Sequence, residues 1–418
     1  MQSICYHYDH RNNNKMNTKK TAYLLSFVLL FGTASHAYAA EYDRYLVKTT
    51  AGTWKRYFGV RHSFYNGFTT DLSDFQVRFA RIFGLEIEPV TKLYVLPDED
   101  KKDVNLEKEA RPTRNNGKIQ RAVPLDQVPW GIEMVYDDPF VNKTSGGDGV
   151  NVAVVDTGIL ISHPDLKSRI KDCKNFSNPR VSVVDGKCED KNGHGTHVAG
   201  IVAADGGADG LGIFGVAPQS SLYVFKVCGL NGSCYADDIS SAINTAADSG
   251  VNIINISLGS DKESSLISES INYATSKGVL VIAAGGNDGP YFASIDYPAA
   301  KKEVVGVGAF GVSFAIPDWS SRGVNSQTLP FVVEEQDVEF AAPGVNIEST
   351  WKNGGYAILS GTSMAAPFVT GLAAKHWPLF ALEMNPALSL RNFLHLNSLD
   401  LDGLGDDDSS GFGFPRVQ

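Results

Sequence analysis

Cysteine is scarce in this 418-residue chain, with five in all and no Cys-x-x-Cys pair. That argues against the common zinc and dithiol frameworks. Positive charge is short as well: 37 Lys and Arg stand against 47 Asp and Glu, a formal net charge of −10. Such a balance makes poor contact with phosphate backbones or anionic lipid, so nucleic-acid binding is not expected. Long apolar runs are missing. The run Ala22 to Phe31 is about half the ~20 residues a spanning helix needs, and no other is long enough. No internal repeat or low-complexity tract stands out. What the chain does have is 43% apolar and 20% charged residues, enough apolar surface to fold rather than remain disordered.

The beginning of the chain reads as an address. Met16-Asn17-Thr18-Lys19-Lys20 is basic, the apolar run follows, and Ala37-Tyr38-Ala39 supplies a small-x-small site. This is the layout of a secretory signal peptide over residues 1–39, with Met16 as an alternative start. Cys5 lies ahead of that site, which leaves Cys173, Cys188, Cys228 and Cys234. An oxidising compartment can join these into two disulfides. Three pairings are open, and the local one, Cys173–Cys188 with Cys228–Cys234, is the simplest. The expected location is secreted or extracellular, with periplasm or cell surface as alternatives, and the mature chain is expected to be soluble and monomeric.

Two units follow. From about residue 40 to Arg121 the chain reads as a small α+β unit. Tyr45–Val47 and Leu93–Leu96 look like strands, Thr70 to Phe83 carries helical spacing, and Asp98 to Arg121 is a polar linker. From residue 122 to 418 the pattern changes. Val150–Val155, Leu222–Val227, Val251–Ile256, Val279–Ala284 and Val304–Val307 are short apolar runs. Between them, His194–Ala204, Ala236–Ala247 and Ser264–Ser276 have helical periodicity. That alternation predicts an α/β fold, a mainly parallel sheet with helices on both faces. In such sheets working residues gather at the carboxyl ends of strands.

Three segments carry chemistry. Asp156 ends a buried strand in Asp156-Thr157-Gly158. His194 opens a helix in Gly193-His194-Gly195-Thr196-His197. Ser363 opens another in Gly361-Thr362-Ser363-Met364-Ala365-Ala366-Pro367. Alone, each fits a plainer role: a turn Asp, a structural His, a capping Ser. Together they supply what a hydroxyl nucleophile needs, a base to take its proton and a carboxylate to orient that base. His197, one helical turn further on, is expected to pack inside. Zinc is not expected, since a metalloprotease helix spaces its histidines at i and i+4 around a Glu. An esterase of the α/β-hydrolase type would need Gly-x-Ser-x-Gly and the order Ser, acid, His, which this chain lacks.

The three motifs, in this order, resemble the signatures of the subtilisin-like serine proteases, the subtilases. The likeness runs from about Val128-Pro129-Trp130-Gly131 to Ala373. It implies a secreted serine endopeptidase in which Asp156 orients the base, His194 is base and then acid, and Ser363 attacks the scissile carbonyl. Ala283-Ala284-Gly285-Gly286-Asn287 resembles the oxyanion segment, so Asn287 is the implied donor. Ser257-Leu258-Gly259 resembles the strand that pairs with substrate backbone. The unit 40–121 takes the place of a propeptide, a folding assistant and transient inhibitor removed by self-processing, with Arg121 near the junction. A non-catalytic relative that binds peptides is the rival reading. No organic cofactor is implied. Calcium is implied as a structural ion at Asp126 and Asp165, with the loop Asp205–Gly210 supplying further ligands. Asp296, in Asp296-Tyr297-Pro298-Ala299, falls beside the pocket for the residue before the scissile bond. A basic or an apolar preference there is left open.

Overall fold

The computed structural model describes residues 43–95, 113–115, 118–325 and 332–417. The expected signal segment and most of the linker lie outside the described residues. The small unit contains β1 (Asp43–Val47), α1 (Gly52–Phe58), β2 (Ser63–Phe64), β3 (Gly67–Leu72), α2 (Asp74–Ile82), β4 (Ile87–Pro89) and β5 (Lys92–Val95). Its four-stranded sheet has the order β2-β3-β1-β4, closed over Val47, Phe58, Phe68, Leu72, Val77, Ala80 and Ile87. The helix expected from Thr70 starts at Asp74 instead. Residues 67–72 pair with β1 as a strand, and Ser73 stops that strand by capping the helix. Its hydroxyl accepts from the Gln76 N–H, while the Gln76 side chain accepts from the Ser73 N–H, a capping box. Within the stretch read as linker, β6 (Thr113–Asn115) and β7 (Lys118–Gln120) form a hairpin.

The large unit is built on β8 (Asn151–Asp156), β9 (Ile170–Asn175), β10 (Val184–Asp185), β11 (Ser221–Lys226), β13 (Ile253–Ile256), β15 (Leu280–Ala284), β16 (Val304–Phe310) and β17 (Phe340–Pro343). Their order is β10-β9-β11-β8-β13-β15-β16-β17. Every pairing from β9 to β17 is parallel, and β10 joins β9 antiparallel. The expected α/β architecture is present. Side chains alternate across β8: Val152 and Val154 enter one core, Ala153 and Val155 the other. Because both faces are covered, the strand is apolar without interruption, as the sequence shows. Behind one face stand α4 (His194–Ala203) and α7 (Thr362–His376), preceded in the chain by the short α3 (Trp130–Tyr136). Behind the other stand α5 (Ala236–Asp248) and α6 (Ser265–Ser276).

The two units meet along a strand and a charge cluster. Strand β5 lies between β12 (Ser233–Tyr235) and β14 (Leu258–Gly259), antiparallel to both. Beside it Arg44, Arg61, His62 and Thr69 hydrogen-bond to Asp237 and Asp238 in the first turn of α5. Acidic side chains suit that helix end.

Cys173 is joined to Cys188 and Cys228 to Cys234, the local pairing. The first bridge closes a loop with a sequence separation of 15, which in the chain-entropy account is worth about 3 kcal/mol. Replacing Cys173 and Cys188 together by Ala should lower urea-unfolding stability by about that amount. An unchanged midpoint and slope would show that the bridge contributes nothing.

Candidate active site

Asp156 closes β8 at its carboxyl end and is wholly buried. His194 is the first residue of α4, whose N-cap is Gly193 and so has no side-chain cap of its own. Asp190 performs that role from outside the helix. Its Oδ1 accepts the N–H groups of Asn192 and Gly193 and the Thr157 hydroxyl. Its Oδ2 accepts the N–H and hydroxyl of Thr196. The start of α4 is thereby tied to the loop after β8. The Gly195 position is forced by the same closeness: a Cβ there would lie 2.3 Å from Gly158 O and 3.0 Å from Asp156 Oδ1.

The result is a directed imidazole. His194 Nδ1 lies 2.8 and 3.0 Å from the two Asp156 oxygens. A carboxylate accepts, so a ring proton sits on Nδ1, and in the neutral ring Nε2 presents a lone pair. Nε2 is buried and has no hydrogen-bond partner, an uncommon state for a buried polar atom.

Ser363 is the second residue of α7. Pro367, four residues on, has no N–H to give to the Ser363 carbonyl. The Ser257 hydroxyl donates to it instead, at 3.0 Å. The exchange is reciprocal, since Ser363 Oγ donates to the Ser257 carbonyl at 3.1 Å. Behind Ser257 a buried chain continues: Asn255 Nδ2 donates to Ser257 Oγ, and the Thr370 hydroxyl donates to Asn255 Oδ1. In this structure no hydrogen bond joins Ser363 Oγ to His194 Nε2. Such contacts often tighten only when substrate binds.

Asn287 stands beside this helix start. Its Oδ1 accepts from the N–H and hydroxyl of Thr362, at 3.0 and 2.9 Å. That contact fixes which end of the amide is the donor: a Cβ on Gly361 would meet Nδ2 at 3.1 Å. A carboxylate, an imidazole, a hydroxyl and an amide donor, so arranged, can relay a proton and hold an oxyanion.

The sequence profile described as "Subtilase family" matches residues 147–413. This chain belongs to the subtilase family. It is 41% identical over 384 residues to "Subtilisin" of Bacillus sp. (strain TA39), covering 87% of each chain. Over 286 residues it is 39% identical to "Subtilisin Savinase" of Lederbergia lenta, covering 66% of this chain and 96% of that one. Among solved structures it is similar to "Sphericase", with 45% identity, a TM-score of 0.68 and coverage of 70% of this chain and 99% of that one. "S41 Psychrophilic Protease" gives 44% and 0.67, with the same coverage. This subtilase is accordingly a serine endopeptidase.

The other expected site residues are spread around this centre. Leu258 and Gly259 pair with Val95 and Tyr94 of β5. Asp296 is 2% exposed, and burial, with Asp288 and Asp261 nearby, pushes its carboxyl up to about 7. Asp165 is buried; its Oδ2 accepts from the Ile213 N–H and the Tyr356 hydroxyl, and its Oδ1 pairs with Arg121. The subtilase does not bring Asp126 into that group. Asp126 is exposed, its Oδ1 accepting the Val128 N–H, while Gln127 reaches the carbonyls of Gly210 and Gly212. Arg121 is turned to Asp165 and Asp209 rather than to the Asp296 pocket. His197 packs inside as expected, with Nε2 on the Ile347 and Ala357 carbonyls, and burial pushes it down to about 3, hence neutral. Sequence reasoning missed Asp190, Asn255 and Thr370. It also gave no role to Thr157 and Thr362, although both lie inside the motifs.

The reciprocal pair makes Ser257 a supporting residue as well as a cleft residue. Ser257→Ala leaves the buried Ser363 carbonyl without its donor, which costs about 1–3 kcal/mol. Thermal or urea unfolding of the Ser363→Ala chain with and without that change would measure it, and equal stability would dismiss the support.

Proposed function

We propose that this subtilase is exported as a precursor, processes itself, and hydrolyses peptide bonds through Asp156, His194, Ser363 and Asn287. The observation that carries the reading is the unpartnered Nε2 of His194, aimed by the Asp156 contact on the opposite ring nitrogen. On substrate binding the Ser363 hydroxyl turns from the Ser257 carbonyl to Nε2 and gives up its proton. Oγ adds to the scissile carbonyl carbon. The oxyanion accepts hydrogen bonds from Asn287 Nδ2 and the Ser363 N–H, one of the first-turn donors without an intrahelical acceptor. Asp156 stabilises the imidazolium, which returns the proton to the leaving amine. Water then hydrolyses the acyl-enzyme by the same path.

Strand β5 supports the zymogen reading. It pairs with β14 and β12 as an extended substrate would. Its register sets Tyr94 opposite Gly259 and Val95 opposite Leu258, the residue next to Ser257. We therefore read residues 40–121 as a propeptide held in the cleft until a cut within 96–121. Export is supported by the residue pattern of 1–39 and by the two disulfides. No helix among the described residues is long and apolar enough to cross a membrane.

Calcium belongs to the same proposal. Oxygens of Asp165, Asp209, Gly206 and Tyr356 converge on one cationic group, the Arg121 guanidinium. Hard oxygens of this kind suit Ca²⁺. Arg121 and an ion would fill the same place, so they exclude one another. The ion's contribution is to tie the loop 205–213 to the body of the fold.

Ser363→Ala should abolish peptide hydrolysis, labelling by a fluorophosphonate and maturation. Continued maturation of that variant would transfer processing to another protease. Added Ca²⁺ should raise the melting temperature of the Arg121→Ala, Ser363→Ala chain, and EDTA should reverse the rise. A melting temperature indifferent to both removes the ion from the account.

A further inference from the structure

Asp296 is 2% exposed, yet no hydrogen-bond donor or cation on this chain meets its carboxylate among the described residues. Only its backbone is engaged, its N–H donating to Gly285 and its carbonyl accepting from Ala300. Buried carboxylates are ordinarily paired, because leaving one unpaired is costly. Two more carboxylates stand with it. Oxygens of Asp261, Asp288 and Asp296 all lie within 4.8 Å of one another, and no ion pair reaches any of the three among the described residues.

Two glycines flank this carboxylate. A Cβ on Gly259 would come within 2.7 Å of Asp296 Oδ2, and one on Gly286 within 3.0 Å. Both positions are glycine, and any side chain at either would collide with the carboxylate that lies against them. The same two glycines locate the pocket. Gly259 is the residue with which Tyr94 of β5 pairs, and Gly286 immediately precedes Asn287. The carboxylate therefore lies between the strand that pairs with β5 and Asn287, where, on the cleft reading, the side chain before the scissile bond would enter.

We infer that this pocket takes a lysine or arginine side chain, so that the subtilase cuts preferentially after basic residues. The inference rests on the cleft reading above. An apolar stem would lie along the glycine walls while its cationic head met the three carboxylates, with arginine able to bond two oxygens at once. The same acidic field makes the preference depend on pH. Asp288 and Asp261 are the charged groups acting on Asp296, and burial together with them holds its carboxyl up near 7. The neighbours Gly259, Gly286 and Ser321 are uncharged. A carboxyl with a raised value is neutral below it and ionised above it, so attraction for a cation strengthens as pH rises through about 7.

The test uses the matured enzyme and fluorogenic peptides that differ only in the residue before the cut: Arg, Lys, Phe, Leu or Glu. Values of kcat/KM should be highest for Arg and Lys, and the Arg-to-Phe ratio should climb between pH 6 and pH 8.5. Asp296→Asn should reduce that ratio roughly 30-fold or more, the scale for losing one partner of a buried charge pair. Should that variant not mature, the wild-type pH profile of the ratio carries the test. Phe or Leu cut as well as Arg would overturn the inference while leaving the protease reading intact. A preference that appears only in EDTA would give the carboxylates to a divalent ion and overturn it equally. No turnover of any peptide, with no fluorophosphonate labelling, would bring down both readings.

Discussion

The contact between Asp156 and His194 Nδ1 is the constraint around which the rest of this subtilase is arranged. It joins a strand end to a helix start, and each is held independently. Asp156 is fixed by β8, whose neighbours β11 and β13 pair with it in parallel register. Its Oδ1 also accepts the Thr157 N–H. His194 is fixed by Asp190, which gathers the open N–H groups at the head of α4. The Thr157 hydroxyl closes the circuit, donating to Asp190 and accepting from the Gly195 N–H. Lys226, at the end of β11, adds a bond to the Thr157 carbonyl. A ring so held turns one nitrogen to the carboxylate and leaves the other without a hydrogen-bond partner.

Ser363 is held by a different device. A proline inside a helix removes one backbone bond, and here the bond removed is the one that would have occupied the Ser363 carbonyl. Ser257 takes its place, and Asn255 and Thr370 fix Ser257 in turn. The cleft strand and the helix that carries Ser363 are therefore coupled through polar groups without access to water. Networks of this kind favour one geometry strongly, because a misplaced member leaves buried polar atoms unpaired.

The junction between the two units shows electrostatics used for attachment. Burial pushes Asp237 up, with Asp238 beside it adding to the rise, while Arg44 and His62 pull the other way. Arg44 and Arg61 are themselves largely buried on the facing surface. Pairing across a buried interface specifies partner and register more than it adds affinity. That fixes the register in which strand β5 lies between β12 and β14.

Much of this protein was legible in its sequence. Strands covered on both faces are unbroken apolar runs, so β8, β11, β13 and β15 stood out, and the order of Asp156, His194 and Ser363 carried the chemistry with them. Short-range devices were readable in part: Ser73 caps a helix, but the strand just before it hid where that helix begins. Asp190, Asn255 and Thr370 escaped, since nothing near them in the chain reveals what they touch. The sequence by itself therefore determined which elements form and which residue types could react. The tertiary structure alone decided which oxygen faces which proton, because contacts such as Thr157 with Asp190 and Thr370 with Asn255 link residues 33 and 115 positions apart, and no local pattern encodes an encounter at that range.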